Sequence, residues 1–446
     1  MLEKVFELKA RGTNVRREII AGAVTFLMMS YIIFVNPDIL SKTGMDHNAL
    51  IGVTILAAAL GTLLVGLWAN VPFAMAPGMG LNAFFTYTLV MGHEVSWEQA
   101  LGVVFLSGVV FLLLTLVGAR EKIVAAIPLS LRLGAAAGIG LFITFIGLQK
   151  LGFIVDNPAT LVGLARSFDA KVALGMLGLA VMCVLTVRKV RGAILIGIIS
   201  ATIIGVLGGQ VDVSPLGESW GVSSPPSIAP VFLKLDILGA MRISLIGAIF
   251  SFMFVDLFDS VGTIVACSHE AGLIDGAGRI RKINRMLQAD AIATVAGSIL
   301  GTSTTTTYIE SGAGIAEGGR TGLASVVTGL LFLAALFLTP LIRIVPPFAT
   351  AGALIMVGVF MFRNIREIDL SDFTVAMPAF LTIILMPLTY SISTGLAFGF
   401  VSHIVLTVAA GRIRSVGIVM WIIGALSLTD IMLQTGLMDT ICKCMQ

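Results

Sequence analysis

Two stretches decide the fold of this chain: VPFAMAPGMGLNAFF at residues 71–85 and GTSTTTTYIESGAGIAEGG at residues 301–319. The first carries Pro72, Pro77 and Gly78 inside an apolar run, so a regular helix across it would be broken. The second opens with a β-branched polar run, which favours an extended backbone, and then becomes glycine-rich. Each stretch therefore predicts a short extended segment followed by a half-helix.

The rest of the chain is strongly apolar. Hydrophobic residues make up 57% of the 446 residues and charged residues 12%, and the mean hydropathy is +1.03. Soluble domains carry roughly 25% charged residues, and apolar runs of about 20 residues are long enough to cross a bilayer. We predict an all-α polytopic membrane protein, embedded in the lipid bilayer, in which protein or a watery cavity satisfies the extended backbone.

Reading apolar runs between helix breakers predicts about fourteen spans. In the first half these are 19–35, 48–68, 72–91, 97–118, 134–154, 171–188 and 191–208. A polar, proline-rich connection at 209–240 follows. The second-half spans are 241–266, 285–300, 301–317, 321–340, 347–362, 372–390 and 393–410. An extra apolar stretch at 417–435 either spans the membrane or lies against the bundle.

The distribution of the 28 Lys and Arg residues gives an orientation. They concentrate in alternate connections, at 4–17, 120–132, 188–191, 279–285, 363–366 and 412–414. Cytoplasmic loops carry an excess of Lys and Arg. We therefore expect a multi-pass protein of the cell (inner or plasma) membrane with a cytoplasmic N-terminus and an extracytoplasmic connection at 209–240.

The two halves share a weak internal repeat at an offset of about 218 residues, where Ile127-Pro128 and Val345-Pro346 each open an apolar run. The matching pairs are Gly134 and Gly352, Ala135 and Ala353, Gly140 and Gly358, and Phe142 and Phe360. An odd number of spans separates the copies, so the second enters the membrane from the opposite side. Chance similarity between helices rich in glycine and alanine is the alternative. Inverted repeats are typical of secondary transporters, whose site lies near the midplane.

Few ionisable residues lie inside the predicted spans: Asp256, Asp259, Asp290 and Glu310. Because a charge in the bilayer is costly, such residues usually line a polar path. Asp256 and Asp259 share one helix face. The alternative for each acid is a structural role in a hydrogen bond. This alternative is least favoured for Glu310, which lies beside broken backbone. Asn82 is either a helix cap or a ligand for a polar substrate.

Aromatic residues near the broken segments have two interpretations. Tyr308, Phe84 and Phe85 could stack on a planar ring, although packing against lipid or core is the commoner role of such residues. His403 stands alone in the last repeat span, where a core histidine is favoured over a proton relay.

We expect no cofactor, metal or nucleic-acid partner. No G-x-x-x-x-G-K-[ST] loop is present, which argues against an ATP-driven pump. The four cysteines form neither a disulfide framework nor a usual zinc spacing. The driving force would then come from an ion gradient.

The runs APGMGLNAFF (76–85), FDSVGT (258–263) and GTSTTTTYIESGAG (301–314), together with TNVRREIIAGAVTFLMMSYIIFVNP (13–37), are recognisable. They resemble the AzgA-like purine permeases, a branch of the nucleobase–cation symporter-2 (nucleobase–ascorbate transporter; xanthine/uracil permease) family. The resemblance covers nearly the whole chain. It implies a UraA-like fold of two inverted seven-span repeats and import of adenine, guanine or hypoxanthine driven by protons.

The resemblance also implies boundaries. The first repeat would cover 1–208 and the second 241–411, on either side of the connection at 209–240, with a tail at 412–446. Spans 1–4 and 8–11 would form a core domain, and spans 5–7 and 12–14 a gate domain. A homodimer through the gate domain would fit this fold.

By the same resemblance, Glu310 matches the carboxylate of the tenth span that binds the base edge. Asp259 matches the acidic position of the eighth span, Asp256 is a second acid of that helix, and Asn82 matches the polar residue of the third span. The expected substrate-binding set is Gly80, Asn82, Phe84, Asp259, Thr307, Tyr308, Ile309, Glu310 and Ser311. The candidates for proton coupling are Asp256, Asp259 and Glu310.

The chemistry of these residues agrees with that expectation. A purine is flat and neutral, and a carboxylate accepts two N–H bonds from its edge. Burial disfavours the charged form of an acid, so an acid here can take up and release a proton. We predict that Glu310 binds the purine and Asp259 couples the proton, with the reverse assignment left open. The motif GTSTTTTYIES (301–311) weakly favours guanine or hypoxanthine over adenine.

Other classes fit less well. An intramembrane aspartyl protease needs its two aspartates on different spans and a G-x-G-D motif, whereas Asp256 and Asp259 share one helix and no G-x-G-D occurs. An anion or other small-solute transporter of the same inverted-repeat fold would favour a basic or purely dipolar site, whereas acids cluster here. A non-transporting receptor would have little use for two broken half-helices.

Overall fold

The computed structural model describes residues 2–92, 95–118, 126–217, 221–242, 245–274 and 280–434. The helices up to the middle of the chain are α1 (Leu2–Phe6), α2 (Val15–Met29), α3 (Ile32–Leu40), α4 (His47–Trp68), α5 (Met79–Ala83), α6 (Trp97–Leu116), α7 (Leu129–Lys150), α8 (Ala170–Val187), α9 (Ala193–Leu207), α10 (Ser214–Gly217) and α11 (Ile237–Ala240). Helix α5 continues as a π-helix over Phe84–Gly92.

The second half contains α12 (Ile246–Glu270), α13 (Ile283–Leu300), α14 (Ser311–Ala316), α15 (Gly322–Ala335), α16 (Thr339–Arg343), α17 (Pro347–Phe362), α18 (Phe373–Thr389), α19 (Ile392–Ala409) and α20 (Ile418–Gln434). Short 3₁₀ turns lie at Ser41–Thr43, Leu336–Leu338, Arg363–Glu367 and Ile413–Ser415. The strands are β1 (Met75–Pro77), β2 (Ile154–Asn157), β3 (Leu161–Leu164) and β4 (Thr305–Thr307).

The mostly helical fold class is confirmed, and every predicted span corresponds to one helix, to two consecutive helices or to a strand followed by a helix. Within the described parts of the chain, nine helical segments are long and apolar enough to cross a membrane. The additional C-terminal segment is helix α20, which packs against α19 and α12.

The two broken spans form the predicted extended segments, and the segments pair with each other. Strand β1 runs antiparallel to β4, with Met75 opposite Thr307 and Pro77 opposite Thr305. Helix α5 begins directly after β1, and α14 begins shortly after β4. Because the strands are antiparallel, the two helices leave the ribbon at opposite ends. We call this β1–β4 pair the central ribbon.

The long helices pack in two groups. In the first group, α15 contacts α2 and α4, α4 also contacts α3 and α13, and α6 contacts α12 and α13. In the second group, α7 contacts α17, α18 and α19, and α8 contacts α9 and α17. The central ribbon contacts α4, α12 and α13 and therefore lies with the first group.

The repeat becomes visible where α7 crosses α17. A Cβ atom on Gly358 would lie 2.4 Å from the carbonyl oxygen of Gly140, and one on Gly140 would lie 2.6 Å from that of Gly358. These two glycines are equivalent in the sequence repeat and face each other in the structure. Small residues at such a crossing let two membrane helices approach until their backbones touch.

The two ends of the bundle can be told apart by their residues. One end, here called the basic end, holds Arg11, Arg281 and Arg320. There the Arg11 side chain donates to the Arg320 carbonyl at 3.4 Å, and Arg281 lies 3.6 Å from the carboxylate of Glu7. The connection at 209–240 packs over the opposite end, where the amide of Leu233 donates to the backbone of helix α13 at 2.9 Å.

The predicted boundaries of the fifth span were wrong. Helix α7 covers Leu129–Lys150 rather than 134–154, and a hairpin of β2 and β3 follows it. Gly152 has φ +77°, a left-handed conformation that glycine adopts without strain and that turns the chain out of the helix.

We expect Gly358→Val to destabilise the fold, because its side chain would meet Gly140 and Thr144. A Cβ atom at position 358 would lie only 2.0 Å from Oγ1 of Thr144. Overpacking typically costs about 1–3 kcal/mol. The unfolding midpoint of detergent-solubilised protein should fall by several degrees. Gly417→Ala is the matched control, since a Cβ atom there meets nothing within 4 Å. Equal midpoints for both variants would contradict the tight crossing.

Candidate functional site

Glu310 lies at the start of α14, directly after the central ribbon, and its side chain is half-buried. The hydroxyl of Tyr31 donates a hydrogen bond of 2.6 Å to Oε1 of Glu310. Tyr31 is 1% exposed and lies at the break between α2 and α3. A buried phenol that donates a hydrogen bond to a carboxylate restricts the orientation of that carboxylate. Tyr31 therefore fixes the direction in which Glu310 presents its carboxylate.

Asp259 projects from α12 towards the same region and is also half-buried. Its carboxylate bonds to the side chain of Thr306 in β4 and lies close enough to Asp290 and Glu310 to interact electrostatically. The structure thus brings together acids from three different elements. Repulsion among them favours a state in which a proton or a hydrogen-bond donor neutralises part of the charge.

An exposed surface adjoins these two acids. Ile309 is 51% exposed and Val265 is 42% exposed. A Cβ atom on Gly262 would meet nothing within 4 Å. Gly262 lies one turn after Asp259 on α12, and Val265, Ala266, His269 and Glu270 continue an exposed face of this helix towards its C-terminus at the basic end. Asp259 and Glu310 therefore lie beside an exposed surface on that side, here called the opening.

Two threonines hold the central ribbon, one from each half of the chain. Thr62 of α4 donates to the carbonyl of Met75 at 3.0 Å and accepts from its amide at 2.9 Å. Thr294 of α13 lies 3.1 Å from the carbonyl of Thr305 and accepts from its amide at 3.2 Å. The equivalent arrangement in the two halves follows the inverted repeat. These bonds satisfy the backbone N–H and C=O groups of Met75 and Thr305, which point away from the partner strand.

Asp256 and Asp290 lie behind the ribbon and are buried. The hydroxyl of Thr294 is 3.2 Å from Oδ2 of Asp256, and that of Thr307 is 3.4 Å from Oδ1 of Asp290. These contacts match the structural role that the sequence left open for both acids. Proton coupling through Asp256 stays a prediction.

Asn82 and Gly80 lie in the helix that follows β1. Asn82 is buried and accepts a hydrogen bond from the hydroxyl of Ser303, whereas its Nδ2 has no hydrogen-bond partner among the described residues. A Cβ atom on Gly80 would lie 2.5 Å from Cγ2 of Ile139 in α7. The broken third span thus packs directly against the second helix group.

The remaining predicted residues are buried in the central ribbon or next to it. Phe84 is buried with its ring centroid 4.6 Å from that of Phe252, and Tyr308 is buried with its hydroxyl donating to the carbonyl of Pro77. Ser311 donates to the carbonyl of Tyr308 at 2.6 Å, and Thr307 is buried too. Of the predicted set, Asp259, Ile309 and Glu310 reach the exposed opening. The substrate contacts of the set stay predictions.

Sequence reasoning missed Tyr31, Thr62 and Thr294. Tyr31 carried one usable signal, since a phenol within an apolar span usually finds a hydrogen-bond partner. The threonines carried none, because a threonine in a helix can bond to its own preceding turn.

Among the described residues, no group of three or more His, Cys, Asp or Glu is placed to hold a metal ion.

The chain matches the model of the xanthine/uracil permeases, described as the Permease family, over residues 16–398. It is 49% identical over 416 residues to a putative permease, MJ0326, of Methanocaldococcus jannaschii, covering 93% of this chain and 94% of that one. It is 45% identical over 414 residues to the adenine permease AdeP of Escherichia coli (93% and 92% coverage).

A further relative is the guanine/hypoxanthine permease PbuG of Bacillus subtilis, 42% identical over 431 residues with 94% and 97% coverage. Among solved structures, the transmembrane domain of a cyanobacterial bicarbonate transporter, BicA, superposes with a TM-score of 0.66 at 15% identity. That superposition covers 86% of this chain and 97% of the other. It shows a shared inverted-repeat transporter fold.

These matches extend across most of the sequence, and the family match covers the range that contains both broken spans. The relatives are permeases rather than enzymes, and the apolar helices agree with a multi-pass protein of the cell membrane. The chain belongs to the xanthine/uracil permease family, within the nucleobase–cation symporters whose purine-permease motifs it carries.

Proposed function

We propose that this protein is a secondary active transporter that imports purine nucleobases, guanine/hypoxanthine or adenine, by proton symport with alternating access. The observation that carries the proposal is the position of Glu310. Its carboxylate is oriented by Tyr31 at 2.6 Å and lies beside an exposed opening.

The chemistry of the opening suits a neutral, flat ring. A fixed carboxylate accepts N–H bonds from the edge of a purine, and such charge-assisted bonds are stronger than neutral ones. A site that depends on hydrogen bonds rejects analogues lacking the donors by several orders of magnitude. Ile309, half-exposed beside Glu310, offers an apolar surface to the ring face.

The names of the relatives support this substrate class. The adenine permease AdeP and the guanine/hypoxanthine permease PbuG both align over more than 90% of this chain. Both 6-amino and 6-oxo purines therefore occur among the substrates in the names of close relatives. The sequence preference for guanine or hypoxanthine stays a weak prediction.

We assign proton coupling to Asp259. It is half-buried, and its charge interacts with those of Asp290 and Glu310. Several carboxylates in one partly desolvated site cannot all stay charged at low cost, so a proton bound at one of them stabilises the loaded state. Release of that proton on the other side of the membrane would weaken purine binding and couple the two fluxes.

Alternating access would then occur between the two helix groups, which we take as the core and gate domains of the prediction. The site lies on the first group and opens towards the basic end. An excess of Lys and Arg marks the cytoplasmic side of membrane proteins. The conformation described here would thus face the cytoplasm. A homodimer through the second group stays a prediction.

An anion transporter is the alternative that the fold allows, since structural relatives include the bicarbonate transporter BicA. The exposed opening, however, adjoins Asp259 and Glu310. Two carboxylates beside a binding site repel an anion. The acids therefore favour a neutral substrate over an anion.

We expect cells that express the protein to accumulate radiolabelled guanine, hypoxanthine or adenine, and a protonophore to abolish that accumulation. Asp259→Asn should abolish concentrative uptake but keep exchange of labelled for unlabelled purine across proteoliposomes, because exchange needs no net proton movement. Accumulation that survives in Asp259→Asn, or that ignores the protonophore, would contradict the coupling role.

We expect Glu310→Gln to weaken purine binding about 10- to 100-fold, since a hydrogen bond to a charged group contributes about 1.5–3 kcal/mol. Tyr31→Phe should weaken it about fivefold by releasing the carboxylate. In the Glu310→Gln background, Tyr31→Phe should add little, because the two side chains act as one unit. Equilibrium binding of labelled purine to the purified variants gives the dissociation constants for this double-mutant cycle.

Glu317→Gln is the matched control for this cycle. Glu317 follows the far end of the same short helix and forms an ion pair with Arg191. Its substitution should leave the dissociation constant unchanged within about twofold. Additive effects of Tyr31→Phe and Glu310→Gln would show that Tyr31 does not act through Glu310.

A further inference from the structure

The two helix groups also meet at the end of the bundle opposite the basic end. Asp38 lies near the C-terminus of α3, in the half of the first span that reaches this end. Lys150 is the last residue of α7, and Thr350 lies in the first turn of α17. Lys150 donates to Oδ2 of Asp38, and so does the hydroxyl of Thr350 at 2.6 Å. Two donors of the second group thus hold one carboxylate of the span that carries Tyr31.

The pair is buried. The side chains of Asp38 and Lys150 are 12% and 11% exposed, whereas those of the ion pair between Asp372 and Arg412 are 42% and 52% exposed. A buried charge has lost its hydration, so separating it from its partner is far more costly than breaking a surface pair. Thr350 lies 3.1 Å from Nζ of Lys150 and completes the cluster.

A second cross-group contact lies beside the first. Tyr390, at the end of α18, is held within the second group by its hydroxyl, which donates to the side chain of Gln149 in α7. Its carbonyl accepts a hydrogen bond of 3.1 Å from the hydroxyl of Thr88, in the helix that follows β1. Its ring also lies against that of Tyr87, with centroids 5.6 Å apart. Thr88 is 3% exposed behind this contact.

The site is therefore open on one side and closed on the other. Ile309 and Gly262 are exposed towards the basic end, whereas the residues along the opposite seam, Thr88 among them, are buried. The charged cluster occupies the point where α3 meets α7 and α17. Any movement that admits solvent to Glu310 from this end has to separate the two groups there.

We propose that Asp38, Lys150 and Thr350 form a gate lock that keeps the seam closed while the site is open at the basic end. This inference rests on the proposed transport function, since a gate has meaning only in a transporter. The lock is broken once in each cycle, and its ionic and hydroxyl contacts set the population of the state that opens to the opposite side.

The test measures accessibility at Thr88→Cys in a chain whose native cysteines (Cys183, Cys267, Cys442 and Cys444) are replaced by serine. A membrane-impermeant maleimide is applied to intact cells without purine. The double variant Asp38→Asn/Lys150→Gln breaks the lock and leaves no unpaired charge. We expect it to be labelled about tenfold faster or more.

Two further variants sharpen the result. The exchange Asp38→Lys/Lys150→Asp restores opposite charges across the seam and should return labelling to within about threefold of the parent rate. Arg412→Gln is the matched control, because it removes an exposed pair between α18 and α19, which belong to the same group. Its labelling rate should not change.

An unchanged labelling rate in the double variant, with the protein correctly inserted, would overturn the gate lock. So would equal acceleration by the double variant and the charge exchange. Because the assay uses no purine, its outcome is independent of the substrate assignment. Faster labelling in a protein that fails to take up purines would retain the lock and reject the proposed function.

Discussion

The structure depends on satisfying the backbone of the central ribbon at membrane depth. Water is scarce there, and an unpaired backbone group costs several kcal/mol. The strands pair with each other, and the groups of Met75 and Thr305 that face outward are bonded by Thr62 and Thr294. Pro77 has no N–H and therefore needs no acceptor, and its carbonyl accepts a hydrogen bond from the hydroxyl of Tyr308. With these groups satisfied, two half-helices can begin in the interior of the bundle, and Glu310 is placed at the start of one of them.

Local signals carried most of what the sequence could predict. Proline and glycine in the third span, and β-branched residues in the tenth, act within a few residues, so the extended segments were predictable. The rarity of charge in apolar spans identified Asp259 and Glu310. Tyr31 was missed because its partner is 279 residues away in the sequence. The hairpin at 154–164 was missed because a helical apolar run and a short strand look alike at a span's edge.

A shared fold does not determine the charge of the substrate that a transporter binds. The transmembrane domain of BicA, titled a bicarbonate transporter, superposes on this chain with a TM-score of 0.66. Its likeness concerns the arrangement of helices, and function depends on the side chains of the site. In this chain the opening adjoins Asp259 and Glu310. The phenol of Tyr31 donates its single hydroxyl proton in a hydrogen bond to Glu310. That combination accepts donors, which a purine edge supplies and a bare anion does not.

The glycine contacts determine where the molecule can move. Within the second group, Gly140 and Gly358 bring α7 and α17 into backbone contact; within the first, a Cβ atom on Gly322 would lie 1.8 Å from the carbonyl of Gly66. Close-packed interfaces of this kind deform little. The contacts between the groups, by contrast, include polar clusters such as that of Asp38 and Lys150, which have discrete broken and formed states. In the proposed transport cycle, motion would therefore be concentrated between two stiff bodies, and a site carried on one of them would be exposed or covered as a unit.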